Sequence, residues 1–265
     1  MNWILCFLVV LSTSIFCIGQ DLSPSAKTSD DFDQFVFQIQ LNKDSYVLGE
    51  PMVLRFALRN PTDGFRYTHE PAFMEESSLR VTQNGKTQFY SRLTAPVGKP
   101  FRMLDRFDAG GMMTAEDVLS PAVVMTYFPT PGKYEIQLVL KNASGEKELL
   151  SNPVQIAFEQ PSGINRTAFE YMQKHKDFFG QSAWTDDGKQ GFSILQRFAI
   201  DYEQSAYGDL AVMSLASAYT ARHELESAKQ QLQKLTVSRT PMFVRLAREE
   251  LADLDKRIHG EDVTP

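Results

Sequence analysis

Histidines are the residues whose spacing would most directly indicate a metal or acid–base site, and this chain has four. No pair has the i, i+4 spacing that places two ligands on one face of a helix. The four are His69, His175, His223 and His259. His175 lies between Lys174 and Lys176, whose positive charges would disfavour a bound cation. The sequence therefore predicts no metal site and no resident cofactor.

Carboxylates are the second group with catalytic potential, because a glycosidase needs only two that face each other. Several occur in the middle of the chain: Glu75, Glu76, Asp105, Asp108, Glu116 and Asp117. Their spacing selects no pair among them. The sequence contains no nucleophile elbow, phosphate-binding loop or dinucleotide glycine pattern, and the adjacent Gly110 and Gly111 indicate a turn. We therefore expect a protein that is not an enzyme.

Two segments have the composition of a binding surface, since aromatic, methionine and arginine side chains are enriched at protein interfaces. They span residues 65–74 and 101–113. The candidate binding residues in them are Phe65, Tyr67, Phe73, Arg102, Arg106, Phe107, Met112 and Met113. The alternative is that Phe65, Phe73, Leu104 and Phe107 fill a core beneath long loops, the commoner use of large apolar side chains.

The first twenty residues have the composition of a secretory signal. A long apolar run begins at Trp3, no charged residue precedes Asp21, and Gly19 offers a small-residue cleavage site. The sequence thus predicts an exported protein of the periplasm, the cell surface or the medium. The alternative is a retained membrane anchor, because the apolar stretch is at the lower limit for crossing a bilayer. Both cysteines, Cys6 and Cys17, lie inside this segment, so a cleaved chain has neither a thiol nor a disulfide.

The formal net charge of −6 argues against a nucleic-acid partner, which would favour a basic face. Residues 20–33 form a polar linker. Beyond it, the alternation of apolar and polar residues in 35–41 and 53–59 predicts strands that bury one face. Asn84-Gly85 between two such runs predicts a hairpin with a two-residue turn. Further strands are expected at 134–140 and 154–158, and with no helical period between them these strands indicate an antiparallel sandwich over 34–160.

The segment that opens with Tyr46-Val-Leu-Gly-Glu-Pro-Met-Val-Leu and ends in Asn60-Pro resembles the start of bacterial extracytoplasmic immunoglobulin-like domains. Pro131-Gly-Lys-Tyr and Ser151-Asn-Pro-Val resemble their last two strands. The resemblance implies an immunoglobulin-like β-sandwich in which the hydroxyl of Tyr134 pins a corner. The same opening is also similar to bacterial proteinase-inhibitor domains of sandwich type.

After Gly163 the apolar period becomes helical, with helices expected around 169–178, 192–202, 210–235 and 242–258. Leu215, Ala216, Tyr219, Ala228 and Leu232 fall at the offsets of a tetratricopeptide repeat. The resemblance implies a tetratricopeptide-like helical domain over 164–259, followed by a short tail at 260–265. Its first helix would present Leu210 and Met213, with Ser217 and Thr220, to an apolar peptide or to the neighbouring sandwich.

These observations favour a non-catalytic exported adaptor that binds another extracytoplasmic protein. Two alternatives stay open. One is an inhibitor or regulator of a secreted protease that uses the sandwich loops as a wedge. The other is a carbohydrate-binding or carbohydrate-active protein, in which Phe65, Tyr67, Phe73 or Trp184 would stack on sugar rings.

Overall fold

A computed structural model describes residues 31–69, 77–91, 104–142, 144–179 and 189–259. The predicted signal segment therefore lies outside the described residues. Within them the protein has mixed β and α content, with strands up to residue 159 and most helices after residue 162. None of the helices in these ranges is long and apolar enough to cross a membrane.

The strands form two main sheets and a small ribbon. Their bounds are β1 Val36–Leu41, β2 Ser45–Val47, β3 Met52–Arg59, β4 Arg66–His69, β5 Ser77–Gln83, β6 Lys86–Ser91, β7 Leu104–Phe107, β8 Met112–Leu119, β9 Gly132–Lys141, β10 Glu148–Leu150 and β11 Val154–Glu159. The first sheet has the order β1-β3-β8 and the second the order β2-β11-β9-β5-β6, with β10 also paired to β9. Strands β4 and β7 pair only with each other among the described strands.

All pairings in the two sheets are antiparallel except one: β2 runs parallel to β11. The predicted hairpin is confirmed, with β5 and β6 joined at Asn84 and Gly85, both at positive φ. The parallel pair was not expected, because Ser45–Val47 is too short to show an alternating pattern.

Apolar residues from both sheets meet in one hydrophobic cluster, so the two sheets face each other across a shared core. Side chains of β3 point alternately into this core and away from it. Leu54, Phe56 and Leu58 are fully buried, while Arg55 and Arg59 are exposed. Phe32, which the sequence analysis placed in the polar linker, lies in a short 3-10 helix and is buried in this core.

A helix that the sequence analysis did not predict closes one end of this core. Helix α1, Pro121–Tyr127, begins with proline at its first turn and buries Val124. Phe128 follows it and is also fully buried, stacked on Phe158 at 4.7 Å. The expectation of no helix between the strands was wrong here, because seven residues are too few to display a helical period.

The remaining helices form a second hydrophobic cluster. They are α2 Gly163–Lys174, α3 Lys176–Phe179, α4 Lys189–Asp201, α5 Gly208–Ala221, α6 Leu225–Leu235 and α7 Pro241–Ile258. Their positions agree with the predicted helices, except that the first is interrupted at His175. Ala211, Ala216 and Ala228 are essentially fully buried at the packing of α5 and α6, where small side chains let helices approach closely.

The two clusters are joined by the turn between β2 and β3. Val47 packs against the helical cluster, and the buried Tyr207 hydroxyl donates a hydrogen bond of 2.8 Å to the carbonyl of Leu48. Glu50, in the same turn, is buried and accepts hydrogen bonds from the Val47 amide and from Lys43. The turn is therefore held by buried polar contacts on both of its sides.

Candidate functional site

The side chain of Asn60 is hydrogen bonded to the two loops that contain or adjoin the predicted binding segments. It follows β3, has no exposed surface, and all its side-chain polar atoms have partners. Its amide nitrogen lies 2.7 Å from the carbonyl of Gly64, 3.2 Å from that of Phe107 and 3.0 Å from that of Asp108. Its amide oxygen accepts from the backbone and the hydroxyl of Thr62. One buried side chain thus fixes two loops that are distant in sequence.

Because of Asn60, Phe65 and Met112 lie at the same end of the β region. Phe65 is next to Gly64, and Met112 is next to Gly111, whose carbonyl accepts the Asn60 backbone amide at 2.9 Å. Phe65 is 52% exposed and Met112 is 59% exposed. We call Phe65, Tyr67 and Met112 the corner patch. It consists of two residues of the first predicted binding segment and one of the second, all near the loops that Asn60 connects.

The ring of Phe65 packs edge-on against Tyr67, with centroids 5.7 Å apart and planes at 78°. The backbone of Tyr67 is in turn held by Asp31, which donates its amide to the Tyr67 carbonyl and accepts the Tyr67 amide on its carboxylate. The two aromatic side chains therefore project from a fixed backbone. They do not form the coplanar platform on which a sugar ring would stack.

Other predicted residues of these segments have different surroundings. Phe107 is 7% exposed and packs edge-on against Phe35 at 5.0 Å, so its ring belongs to the core. Met113 is half-buried against the same core. In the β4–β7 ribbon Arg106 is the register partner of Tyr67. Phe73, Arg102 and Trp184 lie outside the described residues.

The helical candidates, Leu210 and Met213, are half-buried on α5 and pack against the helical core. Helix α5 is enclosed on most of its circumference, with Ser217 and Ala221 as exposed positions. The structure therefore brings Phe65, Tyr67 and Met112 together and places Leu210 and Met213 on a separate element.

Neighbouring carboxylates on β8 have opposite environments. Burial raises the pKa of Glu116, but hydrogen bonds from Arg245 at 2.8 Å and Arg55 at 2.5 Å more than offset this, so the pKa lies below its ordinary value. Asp117 points to the other face of the strand. Burial raises its pKa, and a hydrogen bond from the Val118 amide opposes the rise only in part.

The structure shows the local contacts or backbone conformation of three histidines, His175, His223 and His259. The ring of His175 lies 4.5 Å from that of Tyr171, and His223, two residues after the end of α5, adopts a φ of 61°. The Nδ1 atom of His259 lies 2.7 Å from the carbonyl of Asp255. Within the described ranges no group of three or more histidine, cysteine, aspartate or glutamate residues could hold a metal ion.

Two functional-site features escaped the sequence analysis. Asn60 was noted only as the end of a motif, and the sole local signal of its role was the following proline, which favours a turn. Arg245, the helical partner of Glu116, had no signal at all, because 129 residues separate the two.

No protein-family model matches this chain, and no curated protein matches it. Among solved structures, a β-glucosidase from Erythrobacter marinus shares 12% identity over 47% of this chain and 15% of its own, with a TM-score of 0.28. A sporulation control protein from Bacillus subtilis shares 11% identity over 54% of this chain and 56% of its own, at 0.29. A CARDB domain from Pyrococcus furiosus shares 9% identity over 47% of this chain and 94% of its own, with a TM-score of 0.25. At these TM-scores the likeness carries no information on fold or function.

Proposed function

We propose that this protein is an exported, non-catalytic adaptor that binds another extracytoplasmic protein through the corner patch. The observation that carries the proposal is the exposure of Phe65 and Met112 at 52% and 59%, each next to a loop residue that is hydrogen bonded to the buried Asn60. Aromatic and methionine side chains are enriched at protein interfaces, and a fixed backbone spares binding the cost of ordering a loop.

In the same proposal the β region is an immunoglobulin-like sandwich and the helical region is a tetratricopeptide-like array. The hydroxyl of Tyr134 donates a hydrogen bond of 2.6 Å to the carbonyl of Thr130, the kind of contact that pins a sandwich corner. The buried Ala216 and Ala228, at the packing of α5 and α6, support a close helix pair. Both fold types commonly present surfaces to other proteins.

The protease-inhibitor and carbohydrate hypotheses stay predictions. The angle of 78° between the rings of Phe65 and Tyr67 gives the carbohydrate hypothesis no support from that pair.

Affinity capture with two matched double variants tests the adaptor proposal. Tagged protein would be expressed in its source organism and recovered with its partners. The first variant is Phe65→Ser with Met112→Ser. The control is Phe89→Ser with Leu150→Ser, which alters residues of similar exposure, 67% and 51%, on the other sheet.

We expect one captured protein to be lost from the first variant and retained by the control. Equal capture by the two variants would contradict the corner patch as the binding surface. Turnover of a sugar or peptide substrate that one carboxylate substitution abolishes would contradict the non-catalytic proposal.

A further inference from the structure

The outer face of the β1-β3-β8 sheet has a regular layout that follows from its register. Three rows of outward residues cross the strands. The rows are Val36–Arg59–Met112, Gln38–Ala57–Thr114 and Gln40–Arg55–Glu116. Ala57 is the smallest residue in the set and occupies its centre, so the middle of the face is a hollow.

This hollow has a volume of about 400 Å³. We call it the outer trough; the side chains that define it are Gln38, Gln40, Arg55, Ala57, Met112, Thr114 and Asn152. Met112 belongs to both the trough and the corner patch, so the two surfaces are continuous. At the other end Arg245 of α7 contacts Glu116 and thereby brings the helical region to the edge of the sheet.

Arg55 is the one charged side chain among the trough-lining residues, and Arg59, exposed in the neighbouring row beside Met112, is not one of them. The guanidinium of Arg55 is paired with Glu116, whose second oxygen binds Arg245. The Asn152 side chain is bonded to the amide and the carbonyl of Ile39, at the edge of β1. What remains for a ligand is two exposed glutamine amides, the Thr114 hydroxyl and the Met112 side chain.

We propose that the outer trough binds an uncharged, extended peptide segment of the partner protein; this inference rests on the proposed function. Amides and a hydroxyl both donate and accept hydrogen bonds, which suits the N–H and C=O groups of a peptide backbone. The small Ala57 leaves room for one apolar side chain of the segment, beside Met112. Because Arg55 is paired with Glu116, a charged segment gains little from the lining residues to offset its desolvation.

The length of the trough sets the length of the segment. Successive rows are two residues apart along each strand, and a strand rises about 3.3 Å per residue, so the three rows span roughly 13 Å. An extended peptide of about four to five residues covers that distance. Phe56 is the aromatic residue among those that line the trough, and its side chain is fully buried in the core, so it offers no exposed ring for a glycan to stack on.

A random heptapeptide library displayed on phage, selected against the full chain, tests the inference. A synthetic peptide of the selected consensus is then titrated calorimetrically. The test variant is Ala57→Leu, which fills the hollow from the solvent side. The control is Ala157→Leu, because Ala157 is also a half-buried alanine in a strand interior. A second variant, Gln38→Ala with Gln40→Ala, removes the amides without adding volume.

We expect an uncharged consensus whose affinity falls at least tenfold in Ala57→Leu and in the double glutamine variant, and stays unchanged in Ala157→Leu. A charged consensus, no consensus, or unchanged affinity in both trough variants would overturn the inference. A glycan array bound by the parent protein and lost in Ala57→Leu would overturn it in favour of a sugar. If Ala57→Leu still captures the protein that the corner-patch variant loses, the trough inference fails while the proposed function stands.

Discussion

Asn60 is buried without exposed surface, yet both ends of its side-chain amide are hydrogen bonded. Its replacement removes the side-chain donor from the buried carbonyl of Phe107 and from the carbonyl of Asp108, which keeps the Gly111 amide as a second donor. The residue therefore links core stability to the geometry of the corner patch, because the same contacts position Phe65 and Met112.

Asn60→Ala should lower the free energy of unfolding by about 2–4 kcal/mol, since the five hydrogen bonds of a fully buried side chain are lost at once. Urea denaturation measures the change. Asn152→Ala is the control. Asn152 is an exposed asparagine with two hydrogen bonds to β1, and its replacement should lower the free energy of unfolding by about 1 kcal/mol. Equal losses for the two variants would contradict the central role of Asn60.

Glu116 and Asp117 show how strand alternation separates the chemistry of adjacent residues. The carboxylate of Glu116 is 17% exposed between two arginines, one from β3 and one from α7. Its pKa lies below the ordinary value of 4.5 because the two arginines outweigh the cost of its burial. Asp117 has no arginine partner among the residues that the structure describes, and burial raises its pKa.

The stabilising effect of Glu116 should depend on pH. Because its pKa is lower in the folded protein, the ionised group contributes fully above about pH 4.5, and the contribution is lost as pH falls through the folded-state pKa. Glu116→Gln should cost about 1–2 kcal/mol at neutral pH, allowing for the exposure of both arginines. This difference should shrink below pH 4.5, as urea titrations at several pH values would show.

Glu148→Gln provides the comparison for that series. Glu148 is paired with Lys141 on the surface and is 55% exposed, so its replacement should change stability by only about 0–0.5 kcal/mol at any pH. A cost of Glu116→Gln that stayed constant down to pH 3 would contradict the ion-pair account.

The turn between β2 and β3 is the element that connects the two hydrophobic clusters. Gly49 has a φ of +77° there, and an added Cβ would lie 3.3 Å from Met125 Cγ and from Phe169 Cε2. Gly85, in the β5–β6 hairpin, has a nearly equal φ of +75° and open space around it. The two glycines have the same backbone requirement in different packing environments.

Gly85→Ala should lower the free energy of unfolding by about 1 kcal/mol, because of backbone strain alone. Gly49→Ala should cost about 2–3 kcal/mol, because the same strain is joined by displacement of Met125 and Phe169. Thermal unfolding of the two variants measures the difference. If both lose the same stability, the turn is not closely packed against α1 and α2.

The sequence predicted individual strands and helices better than it predicted how they pair and pack. Alternation was enough for β1, β3 and the β5–β6 hairpin, because each buries one face and the pattern is local. It could not predict the parallel pairing of β2 with β11, which depends on contacts more than a hundred residues apart. Composition made Phe65, Met112 and Phe107 equal candidates for binding, and only the fold distinguishes the exposed Phe65 and Met112 from Phe107, whose ring lies in the core.

The two clusters are held together by contacts of different kinds. The buried Tyr207 hydroxyl bonds Leu48, Val47 packs against the helical cluster, and Glu116 bridges Arg55 and Arg245. Separated halves would therefore expose apolar side chains and leave buried polar groups unpaired. For this reason binding experiments on this protein should use the full chain.

The proposed adaptor function depends on whether the corner patch touches a partner in the native environment. Site-specific photo-crosslinking answers this directly. A photoreactive phenylalanine analogue would replace Phe65 in one variant and Phe89 in the other; both are exposed, Phe65 in the loop before β4 and Phe89 on β6. The account predicts one discrete crosslinked protein from position 65 that is absent from position 89. No adduct at position 65, or the same adducts at both positions, would contradict it.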